Sequence, residues 1–177
     1  SKAILEDVPG AVVVFDVKCS SLLPEYIKQH GGLAKMCPTG HSIVKGFMKQ
    51  EKAILTCEVS GHLFWKHRWY GFDDGIYSAC RLLEILAGSP LSPQVQFDAL
   101  PDSVNTPELK VYLPEEEKFA FMTRFAEETD FGRAKVLTMD GVRVEFEHGF
   151  GLLRASNTTP CLIARFEAKT EEDLDKI

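Results

Sequence analysis

A chain of 177 residues is long enough for one large domain or two small ones, and 45% apolar with 26% charged residues is the balance of a globular protein. Its net charge of -6 leaves no basic stripe for nucleic acid and no polybasic flank for anionic lipid, so no nucleic acid and no membrane is expected as a partner. The longest apolar run, Ala11 to Phe15, is too short to cross a bilayer or to form a signal core, and the five cysteines lack a zinc or redox spacing; a soluble, cytoplasmic protein is expected, its thiols acting as small buried hydrophobes.

Ala3 to Asp7 reads as the tail of a helix that begins before this sequence. Ala11 to Phe15 is continuously apolar and β-branched, as in a parallel strand covered on both faces. Ser20 or Ser21 caps the next helix, whose apolar face is Leu22, Leu23, Tyr26 and Ile27, and Gly31-Gly32 stops it. Leu33 to Cys37 is a second strand, Ile43, Val44, Phe47 and Met48 mark a second helix, and Ala53 to Cys57 is a third strand. Strand, helix, strand, helix, strand with short links predicts βαβ units and a mostly parallel sheet. The three strand ends then share one rim, where ligands of open parallel sheets bind, and Lys18, His41 and the loop Glu58 to His62 meet there.

Beyond that loop, Asp73 and Asp74 open a helix as capping acids rather than as a catalytic pair, and Ile76, Cys80, Leu83 and Leu86 form its expected buried stripe. Ser103 to Pro107 looks like a hinge. After it the pattern changes: Leu109, Val111 and Leu113 alternate as in a half-exposed strand, Phe119, Met122, Phe125 and Ala126 mark a helix starting near Pro114, and Met139-Asp140-Gly141 turns a hairpin. Phe150 to Leu153 and Cys161 to Phe166 are two more strands, and a short helix opens at Glu171. The expected fold class is therefore an α/β domain with a mostly parallel sheet, residues 1–103, followed by a small α+β domain with an antiparallel sheet, residues 104–177.

Two loops carry the chemistry. Arg154-Ala155-Ser156-Asn157-Thr158-Thr159 lies between two strands, and its guanidinium, hydroxyls, amide and turn N–H groups are the donors that a phosphate dianion needs, unless it is an ordinary polar turn. Glu58, Ser60 and His62 lie two apart, so an extended backbone would point them to one side. A carboxylate and a hydroxyl suit sugar hydroxyls, and an imidazole can trade a proton with one of them; a satisfied internal network is the alternative. His41, His62 and His67 lack a regular metal-ligand spacing.

These motifs resemble a known family. Glu58-Val59-Ser60-Gly61-His62, then Arg68 to Tyr77 (RWYGFDDGIY), then Arg154 to Pro160 (RASNTTP), with Asp16-Val17-Lys18-Cys19 and Thr39-Gly40-His41-Ser42 before them, are similar to the α-D-phosphohexomutases, specifically the bacterial phosphomannomutase/phosphoglucomutase group, over essentially the whole chain. One departure is Cys57, where that family usually has glycine. The resemblance implies a four-domain enzyme that moves phosphate between O1 and O6 of glucose or mannose through a bisphosphorylated intermediate. It implies that Glu58 and Ser60 hold sugar hydroxyls, that His62 contacts substrate and assists proton transfer, that Lys18 and His41 bind from the same domain, and that Arg154, Ser156, Asn157 and Thr158 hold the phosphate that is not reacting.

The resemblance also implies a phosphoserine loop, a magnesium loop and glucose 1,6-bisphosphate as intermediate and activator. Neither a Thr-Ala-Ser-His-Asn-Pro string nor an Asp-Gly-Asp-x-Asp-Arg string occurs here. The chain is therefore expected to correspond to the third and fourth domains, with the N-terminal domains of the same enzyme as partners, and to bind hexose phosphate weakly and catalyse nothing alone. A free-standing sugar-phosphate-binding module and part of a phosphoglucosamine mutase are the alternatives.

Overall fold

The β-branched run of the first unit forms strand β1 (Val12–Asp16) in the computed structural model, which describes residues 1–177 as two compact units, Ser1–Asp102 and Ser103–Ile177. In the first unit β1 pairs in parallel with β2 (Leu33–Cys37) and with β3 (Leu55–Cys57). Helix α1 (Lys2–Asp7) precedes β1, and α2 (Leu22–Gln29) and α3 (His41–Gln50) make the two crossovers. Both faces of the sheet are covered. Val13, Phe15 and Leu55 pack with Ile4, Leu5 and Ile27 on one side, while Val14 and Phe64 pack with Val44 and Met48 on the other. Full burial of a Val or Phe side chain is worth about 1.5 to 3 kcal/mol, so the alternation within β1 fixes the strand between two helical layers.

The sheet does not end at β3. Strand β4 (Leu63–Trp65) returns antiparallel to β3, and β5 (Phe72–Asp73) returns antiparallel to β4, giving the order β2-β1-β3-β4-β5. Sequence reading takes Trp65 to Gly75 only as a lead into a helix, because strands of three and two residues are too short to show a period. After them come α4 (Gly75–Ala87) and a short α5 (Pro93–Asp98), which is capped by the Ser92 hydroxyl accepting from the Val95 N–H at 3.4 Å.

The expected buried stripe of α4 is overturned. Ile76 is 82% and Leu83 65% exposed, Cys80 is exposed, and Leu86 is half-buried. The face turned to the sheet is instead Tyr77, Ser78 and Arg81. The Trp65 indole N–H donates to the Ser78 hydroxyl at 2.7 Å, and the Arg81 guanidinium lies 5.1 Å from the Trp65 ring. A charge–aromatic stack of this kind is worth about 0.5 to 2 kcal/mol and draws a long cationic stem inward, which a hydrophobic periodicity does not register. Exposed Cys80 also departs from the expectation that the thiols are buried.

In the second unit, β6 (Val104–Asn105) and β7 (Leu109–Tyr112) precede α6 (Glu115–Glu128), and β8 (Lys135–Leu137), β9 (Val142–Glu145), β10 (Gly149–Ala155) and β11 (Cys161–Ala168) follow. All pairings are antiparallel, in the order β6-β11-β10-β9-β8, with β7 also on β11, and α7 (Glu171–Leu174) closes the chain. Met122 of α6 packs on Val142, Val144 and Leu162. Of residues 103–107, Val104 and Asn105 pair with β11, and Thr106 exchanges hydrogen bonds with Phe166 at 2.9 and 3.0 Å, so these residues belong to the second sheet. Strand β7 is exposed along its length rather than half-exposed, and the buried face of α6 is Lys118, Phe121, Met122 and Phe125, with Phe119 and Ala126 turned outward. No helix is long and apolar enough to cross a membrane.

Candidate functional site

The carboxyl ends of β1, β2 and β3 are tied together by one residue to which no sequence pattern assigns a role. Asp16, fully buried at the end of β1, accepts from the Cys19 thiol at 3.0 Å, from the Thr39 hydroxyl beyond β2 at 3.2 Å, and from the Val59 N–H beyond β3 at 3.3 Å. Lys18 brings its Nζ to 4.0 Å from the same carboxylate, with its side chain only 9% exposed. An ionised carboxylate buried this deeply is tolerable only when paired and hydrogen-bonded. A hydrogen bond with Cys57, burial and the Asp16 carboxylate together hold the Cys19 thiol well above the ordinary thiol range, so it stays protonated. Cys57 thus fills packing space beside Cys19 beneath the loop that follows it.

That loop is a turn, which corrects the extended geometry expected of Glu58 to His62. The Glu58 N–H donates to the His62 carbonyl and the Gly61 N–H to the Glu58 carbonyl, both at 3.0 Å, and Gly61 has φ +92°, a conformation that glycine adopts without a side-chain clash. The antiparallel return of β4 forces this closure. Glu58 and Ser60 still face each other, the Ser60 hydroxyl donating to Glu58 Oε2 at 3.2 Å. Glu58 Oε1 is buried and has no protein partner. A buried acceptor left unmade costs about 1 to 3 kcal/mol, which a bound hydroxyl or water would recover.

His62 points elsewhere. Its Nδ1 lies 2.7 Å from Asp73 Oδ2, and the other oxygen of Asp73 accepts from the Leu63 N–H at 3.1 Å. His41, the first residue of α3, brings its Nε2 to 3.5 Å from the same Asp73 oxygen, and the two imidazoles stand edge to face with centroids 6.0 Å apart. Asp73 is therefore not a cap; Asp74 alone caps α4, accepting from the Tyr77 N–H at 2.9 Å. A helix has one N-cap position, so two consecutive aspartates were the signal that one of them does something else. The rim consists of two centres, Asp16 with Lys18 and the base of the Glu58 turn, and Asp73 with His41 and His62.

The second loop lies wholly in the second unit, as the turn from β10 to β11. Arg154 is 3% exposed; its Nε donates to Asp140 at 3.1 Å, while its Nη2 is buried without a protein partner. Ser156 is equally buried, and its hydroxyl accepts from the Thr158 N–H at 3.3 Å, the Thr159 N–H at 3.2 Å and the Thr159 hydroxyl at 2.8 Å. Its position fixes the turn. Asn157, Thr158 and Thr159 are exposed above it. Gly141, in the adjacent β8–β9 turn, has φ +75°, and a Cβ there would land on the Leu153 carbonyl and on Arg154. That close approach lets Asp140 hold the guanidinium.

Comparison with known proteins finds one family across both units. Residues 1–103 match the family model for the phosphoglucomutase/phosphomannomutase alpha/beta/alpha domain III, and residues 108–177 match that for the phosphoglucomutase/phosphomannomutase C-terminal domain. A phosphomannomutase/phosphoglucomutase of Pseudomonas putida is 49% identical over 98% of this chain, and a phosphoglucomutase of Neisseria gonorrhoeae is 49% identical over 98%. The chain spans 38% of the length of each of these curated relatives. A crystal structure of a phosphoglucomutase/phosphomannomutase family protein from Burkholderia thailandensis superposes with a TM-score of 0.92 at 42% identity, covering 99% of this chain and 37% of that one. By two consecutive family domains and by near-half identity to curated members, the chain belongs to the phosphoglucomutase/phosphomannomutase family, the α-D-phosphohexomutases, as their third and C-terminal domains.

Proposed function

We propose that this chain supplies sugar and phosphate recognition to a phosphomannomutase/phosphoglucomutase, an isomerase that interconverts hexose 1-phosphate and hexose 6-phosphate in the cytoplasm. The observation that carries the reading is the buried, unpartnered Nη2 of Arg154 beside the Ser156 to Thr159 turn, in a chain of this family. A guanidinium with one arm held by Asp140 and the other unmet is poised for a phosphate oxygen, and the amide of Asn157 and the hydroxyl of Thr158 add donors. Fixing the phosphate that does not react is a use of remote binding energy to position the centre that does.

In the first unit Glu58 and Ser60 take sugar hydroxyls, and Lys18 and His41 bind alongside them. Because a carboxylate can only accept, the neutral His62 carries its proton on Nδ1 toward Asp73 and presents Nε2 as an acceptor for a hydroxyl proton. Magnesium in the intact enzyme, and glucose 1,6-bisphosphate as its intermediate, belong to a serine and a metal loop that this sequence does not contain. The carboxylates present do not fit the ion: Asp16 and Asp73 are committed to buried donors and imidazoles, and no group of three His, Cys, Asp or Glu could hold a metal. The partners proposed are the N-terminal domains of the same enzyme and its hexose phosphate.

Titration of the 177-residue chain with glucose 1-phosphate or mannose 1-phosphate, followed by amide shifts, tests the reading. Responses are expected at residues 58–62 and 154–159, with no mutase turnover. Silence at residues 154–159 would remove the phosphate assignment. Turnover by this chain alone would show that the phosphoryl-transfer machinery has been misplaced.

A further inference from the structure

The second unit contains one lysine whose placement no surface role explains. Lys118 is fully buried in the first turns of α6, and its Nζ donates to the Ser156 carbonyl at 2.6 Å and to the Thr159 carbonyl at 3.1 Å, at the two ends of the phosphate turn. It is also 2.7 Å from both oxygens of Glu115, whose side chain is 62% exposed. A buried ammonium near a helix N-terminus opposes the helix dipole and gives up its hydration, so the fold carries a cost at this position.

The geometry points to Lys118 as a positioning residue that pins the carbonyls of Ser156 and Thr159 and places a positive charge behind the turn, strengthening its capture of a phosphomonoester dianion. The inference rests on the turn being the phosphate site. Peptide planarity supplies the mechanism. With the Ser156 carbonyl turned inward to Lys118, the N–H of Asn157 in the same trans peptide unit is turned to the opposite side, toward the exposed face. The same ammonium contributes an attraction that no water screens directly, since it lies beneath the turn, and Glu115 offsets part of that charge.

Lysine's role as a clamp and its role as a charge separate experimentally at Glu115. In the 177-residue chain, glucose 1-phosphate and inorganic phosphate are titrated against the amide shifts of Asn157 and Thr158, for the parent, Glu115→Gln, Lys118→Met and Lys118→Arg. Glu115→Gln is expected to bind both anions about three- to tenfold tighter, because the charge behind the turn is less masked, and to lose more affinity on adding salt. Lys118→Met is expected to bind at least about tenfold more weakly, with Lys118→Arg recovering much of the loss. Unchanged or weaker binding in Glu115→Gln, with the parent binding normally, overturns the charge role. Should Lys118→Met fail to fold, the Glu115→Gln result alone decides. If the parent's turn amides respond to neither anion, the phosphate-site reading falls and takes this inference with it.

Discussion

His62 donates its Nδ1 proton to the Asp73 carboxylate across 2.7 Å, and this one contact ties the turn after β3 to the short strand β5. Asp73→Asn keeps the shape but replaces an acceptor-only group with one that also donates, so the imidazole loses the partner that selects its tautomer. The expected result is a loss of about 1 to 2 kcal/mol of stability in urea titration, since hydrogen bonds to charged groups contribute about 1.5 to 3 kcal/mol and this one is partly exposed. Imidazole nitrogen shifts should move from the Nδ1-protonated pattern of His62 to a mixture. If the tautomer is unchanged in Asp73→Asn, the carboxylate does not orient the ring.

The same pair shows why the site was only half legible in the sequence. The parallel core was readable because βαβ units announce themselves by strand and helix periods, and Lys18, His41 and Glu58 could be assigned to one rim from chain direction alone. Asp73 was hidden because its strand has two residues, and Asp16 because a lone acid at a strand end carries no pattern. Lys118 occupies a core position four residues before Met122, and a charge in an apolar stripe was the available hint. In the β10–β11 turn Asn157 and Thr158 are exposed while Ser156 is buried with its hydroxyl engaged by its own turn, a difference that a run of small polar residues does not carry.

Helix α4 gives a sharp test of the corrected burial. Ile76→Glu and Leu83→Glu alter exposed positions and are expected to change the stability of the chain by less than about 0.5 kcal/mol. Arg81→Ala removes a buried guanidinium that donates to the Tyr77 hydroxyl at 3.2 Å, pairs with Glu84 at 2.9 Å and stacks on Trp65; the expected loss is about 2 to 4 kcal/mol. Urea midpoints for the three variants decide it. A greater loss in Leu83→Glu than in Arg81→Ala would restore the hydrophobic stripe.

Mild acid should weaken the first unit through His67. Its ring is largely buried, and Arg81 Nη1 lies 3.2 Å from Nδ1, which must then accept; burial and the Arg81 charge hold the imidazole below its ordinary value near 6.5, with Asp7 and Glu84 opposing and Arg68 reinforcing them. A folded value below the unfolded one means that the unfolded chain takes up the proton first, so this contribution is intact above about pH 6.5 and is lost as pH falls from there through the folded value. Thermal melts between pH 7.5 and 5 should show a falling midpoint, and His67→Gln should flatten that slope. An equal slope in His67→Gln would assign the acid sensitivity to other groups.

Gly141 joins the fold of the second unit to the turn proposed to hold phosphate. At φ +75° an alanine is strained by about 1 to 2 kcal/mol, and its Cβ would overlap the Leu153 carbonyl and Arg154, adding about 1 to 3 kcal/mol for an overpacked contact. Relief requires the β8–β9 turn to move away from β10, which withdraws Asp140 from the Arg154 Nε that it accepts from at 3.1 Å. Gly141→Ala is therefore expected to lose about 2 to 4 kcal/mol of stability and about tenfold in phosphate affinity, by the same titration of Asn157 and Thr158 amides. Asp140→Asn is the matching variant. It leaves the backbone unstrained, so its melting point should fall by much less, while its phosphate response should weaken to a similar degree because the guanidinium is no longer held by a charge. Normal phosphate binding in Asp140→Asn would mean that Arg154 is positioned by its burial alone, and that the glycine matters to the fold but not to the anion.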